Sequence, residues 1–349
     1  MTTKINTIDW SSKDDYEKNG AYFIIQTFGR NEDNESIHLQ INDFEPYFYV
    51  RNSNNITKNQ FIDTLKSLSN NDKSYFDEIV RKSIQIAKEK NYNFLRNGQS
   101  FEGKVLEYHK FYSIEVLWDK FEIENKKIFY YYQENEEEFF KLKFRSKRAF
   151  TLMKKMINDY TEYEIFETNI DPLIRFFHDK NLDPCGWIEI EKESSLEYKK
   201  YIDKKEQIFS KSKCLHSKKC NIINVNRYEK TDYVKFLVAS FDIECTSETG
   251  EFPNANKPND KIIQIGTTFH YHGDKEPKIR TMVTLDPCED IEGLDQDTLK
   301  IVNNEIELLE DWMKIINDYD PDIITGYNIW GFDCKYMYDR YKYLISKEL

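Results

Sequence analysis

The stretch that decides the fold is FLVASFDIEC, residues 236–245. Its near-continuous apolar run is typical of a strand that is buried on both faces in the centre of a sheet. Two carboxylates, Asp242 and Glu244, interrupt the run, and because strand side chains alternate they share one face, with Cα atoms about 7 Å apart. Such close like charges repel each other, and a divalent cation between them would relieve the repulsion. In the alternative interpretation, one acid is solvated at the strand end and the other pairs with a lysine.

A second stretch, DPDIITGYNIWGFD, lies at residues 320–333. Its pattern predicts a turn, a short apolar strand, a loop and the start of a helix over 333–344. Asp333 opens that helix, where an acidic side chain interacts favourably with the helix dipole. This stretch alone leaves open whether Asp333 is only a helix cap or a functional acid.

Together, the two stretches resemble the first two 3′–5′ exonuclease motifs of B-family DNA polymerases. The first match is FDIE at 241–244, and the second, YNIxxFD at 327–333, ends 91 residues after Asp242. Segments around the motifs resemble the family as well: GEFP at 250–253, DKIIQIG at 260–266, ELL at 307–309 and DPD at 320–322.

The first half of the chain resembles the N-terminal domain of the same polymerases. The matching segments are PYFYV at 46–50 and FETNI at 166–170, the latter followed by Arg175, Asp179 and Trp187. We expect Arg175 to form a buried ion pair with Glu167 or Asp179, and the aromatics of 44–50 to belong to the core. The large-DNA-virus and eukaryotic delta-like polymerases carry such N-termini.

The resemblance implies a proofreading exonuclease that hydrolyses the 3′-terminal phosphodiester of DNA with two Mg²⁺ ions, or with Mn²⁺ in their place. In this assignment Asp242 bridges both ions. Glu244 holds the ion nearer the attacking water, and Asp333 holds the other ion directly or through water.

The resemblance also implies DNA contacts. Asn328 and Phe332 occupy motif positions that would touch the sugar or base of a single-stranded 3′ end, and Phe241 is assigned to DNA binding with them. The implied partners are a single-stranded 3′ end, primer–template DNA, and the remainder of the polymerase as the same or a separate chain. The family's third exonuclease motif, Tyr-x-x-x-Asp, has no match after Asp333, and the polymerase motifs are absent.

The length of 349 residues allows two domains with separate cores, and the predicted class is α/β. We expect an α+β N-terminal domain at 1–198, an exposed Lys-rich linker at 199–234, and a mixed-sheet, ribonuclease-H-like exonuclease domain at 235–349 that is truncated at its C-terminus. In such a domain the strands that contain Asp242 and Ile324 lie side by side, which would bring Asp333 to the same cleft.

The patterns predict individual elements in both halves. In the second half they are strands at 235–245, 261–271, 279–285 and 322–327, with helices at 305–318 and 333–344. In the first half they are a hairpin of 21–28 with 36–41, strands at 44–50, 105–117, 127–132 and 139–144, and helices around 61–68, 76–87 and 150–157.

Almost all of the net charge of −12 lies in the second half of the chain. Residues 235–349 hold 12 Lys and Arg against 23 Asp and Glu, a net charge of −11. This acidity fits a metal-binding carboxylate centre better than a surface that grips phosphates. If this half acts on DNA, most of the electrostatic attraction must come from elsewhere.

The sequence contains no apolar run of 18 residues and no signal-peptide core, so membrane and secreted classes are not expected. The six cysteines are scattered without framework spacing, which fits a reducing compartment inside the cell, nucleus or cytoplasm. Cys214, His216 and Cys220 form a compact cluster, but zinc would need a fourth ligand.

The predicted function is therefore the N-terminal and proofreading exonuclease portion of a B-family DNA polymerase, with weak or no activity of this chain alone. One alternative is a free-standing ribonuclease-H-like nuclease. Another is a non-catalytic binding module that pairs with a separately encoded polymerase subunit.

Overall fold

The computed structural model describes residues 2–17, 20–71, 85, 115–128, 133–191, 197–200, 214–289, 294 and 298–348. The chain divides into two compact units, Met1–Val234 and Lys235–Leu349. In the part of the chain that the structure describes, no helix is both long enough and apolar enough to cross a bilayer.

The first unit is built on strands, with three α-helices in its described residues. The strands are β1 (Thr3–Glu17), β2 (Gly20–Asn31), β3 (Ser36–Asn42), β4 (Tyr47–Arg51), β5 (Glu122–Lys126), β6 (Glu137–Lys143), β7 (Ile165–Phe166), β8 (Trp187–Ile190), β9 (Glu197–Lys200), β10 (His216–Asn221) and β11 (Val225–Arg227). The helices are α1 (Lys58–Asn71), α2 (Lys147–Tyr160) and α3 (Pro172–Lys180).

These strands form two sheets. The larger has the order β11-β8-β1-β2-β3-β10-β9, and the smaller has the order β5-β6-β4-β7. The predicted hairpin is the antiparallel pair β2 and β3. The predicted elements at 76–84, 105–114 and 129–132 lie outside the described residues.

The aromatic strand β4 serves the core, as expected. Phe48 and Val50 point into a cluster with Phe61 of α1 and Met153 of α2. Tyr49 is buried on the opposite face, where its hydroxyl donates to Glu124 at 2.9 Å. Nearby, Arg175 pairs with Glu167 at 2.6 Å, one of the two alternatives for the predicted ion pair, but the pair is half-buried rather than buried.

The predicted exposed linker at 199–234 is wrong over 216–227. Strand β10 pairs in parallel with β3 inside the larger sheet, and β11 pairs antiparallel with β8. The side chains of His216, Cys220 and Val225 are buried there. Between them, Lys218 donates to the hydroxyl of Thr3 at 2.6 Å, so part of the lysine run lies against the sheet rather than in solvent.

The second unit is a mixed α/β structure. Its described strands are β12 (Leu237–Cys245), β13 (Ile262–Tyr271), β14 (Ile279–Leu285), β15 (Leu299–Val302) and β16 (Ile323–Thr325), and its helices are α4 (Glu305–Tyr319) and α5 (Asp333–Glu348). The sheet order is β15-β14-β13-β12-β16. The pairs β12–β16 and β14–β15 are parallel, and the other two are antiparallel.

The core of the second unit lies between the sheet and the two helices. Buried side chains of β12, such as Ile243, pack with Leu308 and Trp312 of α4 and with Tyr336 and Met337 of α5. In the parallel pair, Ala239 is opposite Ile324. The predicted neighbourhood of these two strands is therefore confirmed, and it places the loop after β16 at the carboxyl end of β12.

Candidate active site

The end of β12 presents acids on one side and apolar side chains on the other. Asp242 and Glu244 are exposed, whereas Phe241 and Ile243, which alternate with them along the strand, are buried. This is the alternation expected of a strand with one face on a core. The two acids thus share the open face of the sheet.

A glycine lets the chain pass close to this strand end. A Cβ atom on Gly326, the residue after β16, would collide with the carbonyl oxygen of Phe241 and with the side chain of Ile329. Only glycine therefore permits this backbone approach without a shift.

The loop then closes in a tight turn before α5. Asn328 has a left-handed backbone, with φ of 55°, and its carbonyl oxygen accepts from the N–H groups of Gly331 at 2.9 Å and Phe332 at 3.0 Å. Ile329 is buried, so it anchors the turn to the core. The turn delivers Asp333 to the first position of α5.

Asp333 is buried, with 2% of its surface exposed, and its Oδ1 atom has no hydrogen-bond partner. Burial raises the pKa of its carboxyl group, and the negative charge of Asp242 raises it further. Backbone N–H groups of Asp333 itself and of Ile243 oppose that rise by hydrogen bonding to the carboxylate. The structure therefore brings Asp333 and Asp242 together as two mutually repelling acids.

Glu244 does not complete a compact three-acid cluster. It lies on the same face as Asp242, but among the described residues no three His, Cys, Asp or Glu side chains are close enough together to hold a metal ion. Two of the three predicted metal ligands are thus adjacent, and the third is exposed beside them.

The structure buries the side chain of Phe241, the third residue that the resemblance assigns to DNA binding. Phe241 is 3% exposed and its ring lies 4.9 Å from that of Trp312 in the core. Phe241 and Ile243 are two residues apart in the strand, so their side chains share a face, and that face is opposite to the one that carries the acids. Asn328 is exposed and Phe332 is half-buried, which leaves both available for the contact that the motif implies.

Sequence reasoning missed an aromatic contact beside the acids. Phe252 is 76% exposed, and its ring lies 4.8 Å from that of Phe332 in an edge-on arrangement. The only sequence signal was the GEFP segment at 250–253, which contains no pattern that predicts exposure. Two further aromatics of the loop before α5 are open to solvent, Tyr327 and Trp330. Exposed rings of this kind can stack on unpaired bases.

Comparisons with known proteins agree with this architecture. Residues 163–349 match the family described as DNA polymerase family B, exonuclease domain. The DNA polymerase of Acanthamoeba polyphaga mimivirus is 32% identical over 347 residues, which cover 95% of this chain and 18% of that polymerase. The DNA polymerase delta catalytic subunit of Arabidopsis thaliana is 27% identical over 326 residues, covering 91% of this chain and 26% of that subunit.

A solved structure shows the same fold. The family B DNA polymerase from the hyperthermophilic archaeon Pyrobaculum calidifontis superposes with a TM-score of 0.58 at 15% identity, covering 98% of this chain and 32% of that one. The likeness extends over both units, and at this identity it speaks for the fold alone.

Fold and site together define a mixed-sheet exonuclease domain preceded by a strand-rich N-terminal unit. The chain belongs to DNA polymerase family B, and residues 163–349 carry the exonuclease domain of that family. The predicted family and the mixed α/β class are thus confirmed. Exonuclease domains of this family are metal-dependent in general. The chain spans about a fifth to a quarter of the length of the two relatives named above.

Proposed function

We propose that this chain provides the proofreading part of a family B DNA polymerase, which removes nucleotides from a single-stranded 3′ end of DNA. The observation that carries the proposal is the pair Asp242 and Asp333. Asp333 is buried against a second acid, with an oxygen that no hydrogen bond satisfies. Burying a carboxylate in this way is costly unless a cation or a proton compensates it.

The residues fit divalent Mg²⁺, or Mn²⁺ in its place. Carboxylate oxygens are the ligands that these ions prefer, and the unsatisfied Oδ1 of Asp333 is such an oxygen. Asp242 and Asp333 would hold the metal, and Glu244 would join them from the same face of β12. When bound, the metal supplies positive charge to the scissile phosphate and lowers the pKa of a water molecule.

The surrounding side chains would orient the DNA. Phe252 and Phe332 offer ring surfaces next to the acids for the terminal base. The exposed side chain of Asn328 can hydrogen-bond to the sugar or base beside them. The site thus favours an unpaired end, because bases within a duplex are not free to stack on protein rings.

Most of the electrostatic attraction to DNA would come from the remainder of the polymerase, as the same or a separate chain. The second unit carries a net charge of −11 over residues 235–349, so it repels phosphates overall. The proposed substrate of the complete polymerase is primer–template DNA. The proposed location is inside the cell, in the nucleus or the cytoplasm.

The test is nucleotide release from a 3′-labelled single strand in Mg²⁺ or Mn²⁺, with wild type and Asp242→Ala compared. We expect slow, stepwise release of mononucleotides by the wild type and none by the variant. The slowness follows from the open arrangement of Glu244 relative to the other two acids.

Other outcomes would change the assignment. Equal release by both proteins would contradict it, because the activity would then come from elsewhere. Fast release by the wild type would favour a free-standing nuclease. Metal-dependent binding of the strand with no release at all would favour a non-catalytic binding module.

A further inference from the structure

Arg340 is the most deeply buried cation of the second unit among the described residues, with 1% of its surface exposed. Two of its N–H groups donate to the carboxylate of Glu305, at 2.9 and 2.6 Å. The other three donate to backbone carbonyls of Ala255 at 3.1 Å, Pro258 at 3.1 Å and Lys257. All five donors of the guanidinium are therefore used, three of them on one loop.

A second set of hydrogen bonds holds the same loop. The hydroxyl of Tyr336, on the same helix as Arg340, donates to the carbonyl oxygen of Asp260 at 2.7 Å. The buried carboxylate of Asp260 accepts from the backbone N–H groups of Glu248 at 2.9 Å and Asn254 at 2.8 Å. Helix α5 thus holds residues 255–260, and Asp260 ties the backbone at Glu248 and Asn254 to them.

The loop, residues 246–260, carries Phe252 at its exposed part. Apart from Ala255 and Asp260, its residues are exposed or half-buried, so few packing contacts hold it. Phe252 nevertheless lies 4.8 Å from Phe332, which immediately precedes Asp333 at the start of α5. The same helix therefore supplies the acid, through its first residue, and the anchor of the aromatic loop, through Arg340.

We infer that Arg340 is a positioning residue for the exonuclease site. It holds the loop 246–260 on α5 so that Phe252 faces Phe332 and the two rings form the platform for the terminal base of a single strand. Arg340 itself does not touch DNA. That the two rings bind DNA rests on the proposed function. That Arg340 holds the loop rests on the hydrogen bonds alone.

The experiment combines DNA binding with local hydrogen exchange. Binding is measured by the anisotropy of a 5′-fluorescein-labelled oligothymidylate whose 3′-terminal linkages are phosphorothioates, so that hydrolysis does not interfere. The proteins are wild type, Phe252→Ala, Arg340→Met, the double variant, and Lys342→Met as the control. Lys342 is an exposed cation on the same helix that makes none of these contacts with the loop.

We expect Phe252→Ala and Arg340→Met each to weaken binding about tenfold, the scale of one lost base–aromatic stack. The double variant should bind like either single variant, because Arg340 acts through Phe252. Lys342→Met should bind like wild type. A double variant that binds about a hundredfold more weakly would overturn the inference, since Arg340 would then act independently of Phe252.

Hydrogen exchange decides the positioning role without DNA. In Arg340→Met the amides of Glu248 and Asn254 should exchange about tenfold faster, while those of β1, in the first unit, keep their protection. If Arg340→Met does not fold, Arg340→Lys serves instead, because a lysine cannot reach Glu305 and three carbonyls at once. Unchanged exchange at both amides would refute the inference. A wild type that binds no oligonucleotide would count against the proposed function, and the exchange result would still decide on Arg340.

Discussion

Arg340 donates to both carboxylate oxygens of Glu305 in the interior of the second unit, at 2.9 and 2.6 Å. Oε1 of Glu305 also accepts from the backbone N–H of Ile262 at 2.8 Å, at the start of β13. This single ion pair therefore joins α4, α5 and the central part of the sheet. Because α5 begins with Asp333, the pair also stabilises the element that brings one acid to the other.

Replacing Glu305 by Gln should strongly destabilise the second unit. The guanidinium of Arg340 would remain buried without a compensating charge, a situation that costs about 3–5 kcal/mol. Urea unfolding followed by tryptophan fluorescence gives the change in the free energy of unfolding. Glu307→Gln is the matched control, since Glu307 is an exposed acid two residues further along the same helix, and it should cost less than about 1 kcal/mol. Equal losses in the two variants would contradict the role of the buried pair.

Asp242→Asn should have opposite effects with and without metal. In EDTA the variant should melt at a higher temperature than wild type, because it removes the charge that repels the buried Asp333. In Mg²⁺ the wild type should gain stability by binding the ion, and the variant should gain little. Thermal melts in EDTA and in Mg²⁺ measure the difference in melting temperature between wild type and variant. The control is Asp318→Asn, a substitution at an exposed acid. A Mg²⁺-dependent gain that survives in Asp242→Asn would place the metal site elsewhere.

Gly326→Ala should destabilise the second unit by about 1–3 kcal/mol, the usual cost of inserting an atom into a filled space. The added Cβ would meet the carbonyl oxygen of Phe241 and the side chain of Ile329. Gly266→Ala is the control, because a Cβ there meets only the flexible end of Met282 at 3.5 Å. Urea unfolding of both variants checks the difference. A Gly326→Ala protein as stable as the control would mean that the loop can move away from β12.

The acids at the end of β12 illustrate what the sequence can predict. Period-two alternation predicts that Asp242 and Glu244 share an exposed face, and the structure agrees. The same alternation puts Phe241 with Ile243 in the core. Its assignment to DNA binding comes from its place in a motif, and motif membership says nothing about the side of the strand on which a residue lies.

Long-range pairing explains the features that sequence reasoning missed. Strand β10 pairs in parallel with β3, nearly 180 residues earlier in the chain, and its local sequence, HSKKCN, is dominated by polar residues. No local pattern shows that Arg340 will meet Glu305 or that Phe252 will meet Phe332. Such contacts depend on how helices and loops pack on the finished sheet, so they become visible only in three dimensions.

Acid should weaken the first unit through His38. This side chain is buried, and burial lowers its pKa from 6.5 to about 4, with Lys13 adding to the effect. Below pH 6.5 the unfolded chain takes up the proton and the folded chain does not. The free energy of unfolding should therefore fall as the pH decreases from 6.5 to about 4, by up to about 3 kcal/mol.

The pH dependence of urea unfolding measures this loss. Within the fold, His38 lies 2.9 Å from the hydroxyl of Ser217 and 3.2 Å from the amide of Gln26, and it stacks on Phe28. His38→Gln keeps a polar side chain of similar size and cannot titrate, so its stability should change less over the same pH range. Identical slopes for the wild type and His38→Gln would show that another group causes the acid sensitivity.

Trp330 should report the arrival of single-stranded DNA. It is 79% exposed on the loop that ends at Asp333, whereas Trp312, the other tryptophan of the second unit, is buried. A base that stacks on the exposed indole should quench its fluorescence, and Trp330→Phe should abolish most of that quenching. Trp330→Ala should weaken binding of an oligothymidylate about five- to tenfold, because it removes one stacking surface. Tyr338→Ala is the control, since Tyr338 is a 60% exposed aromatic on α5 that faces α4 rather than the loop. Quenching that persists in Trp330→Phe, or an equal loss of affinity in Tyr338→Ala, would mean that the strand does not pass over this loop.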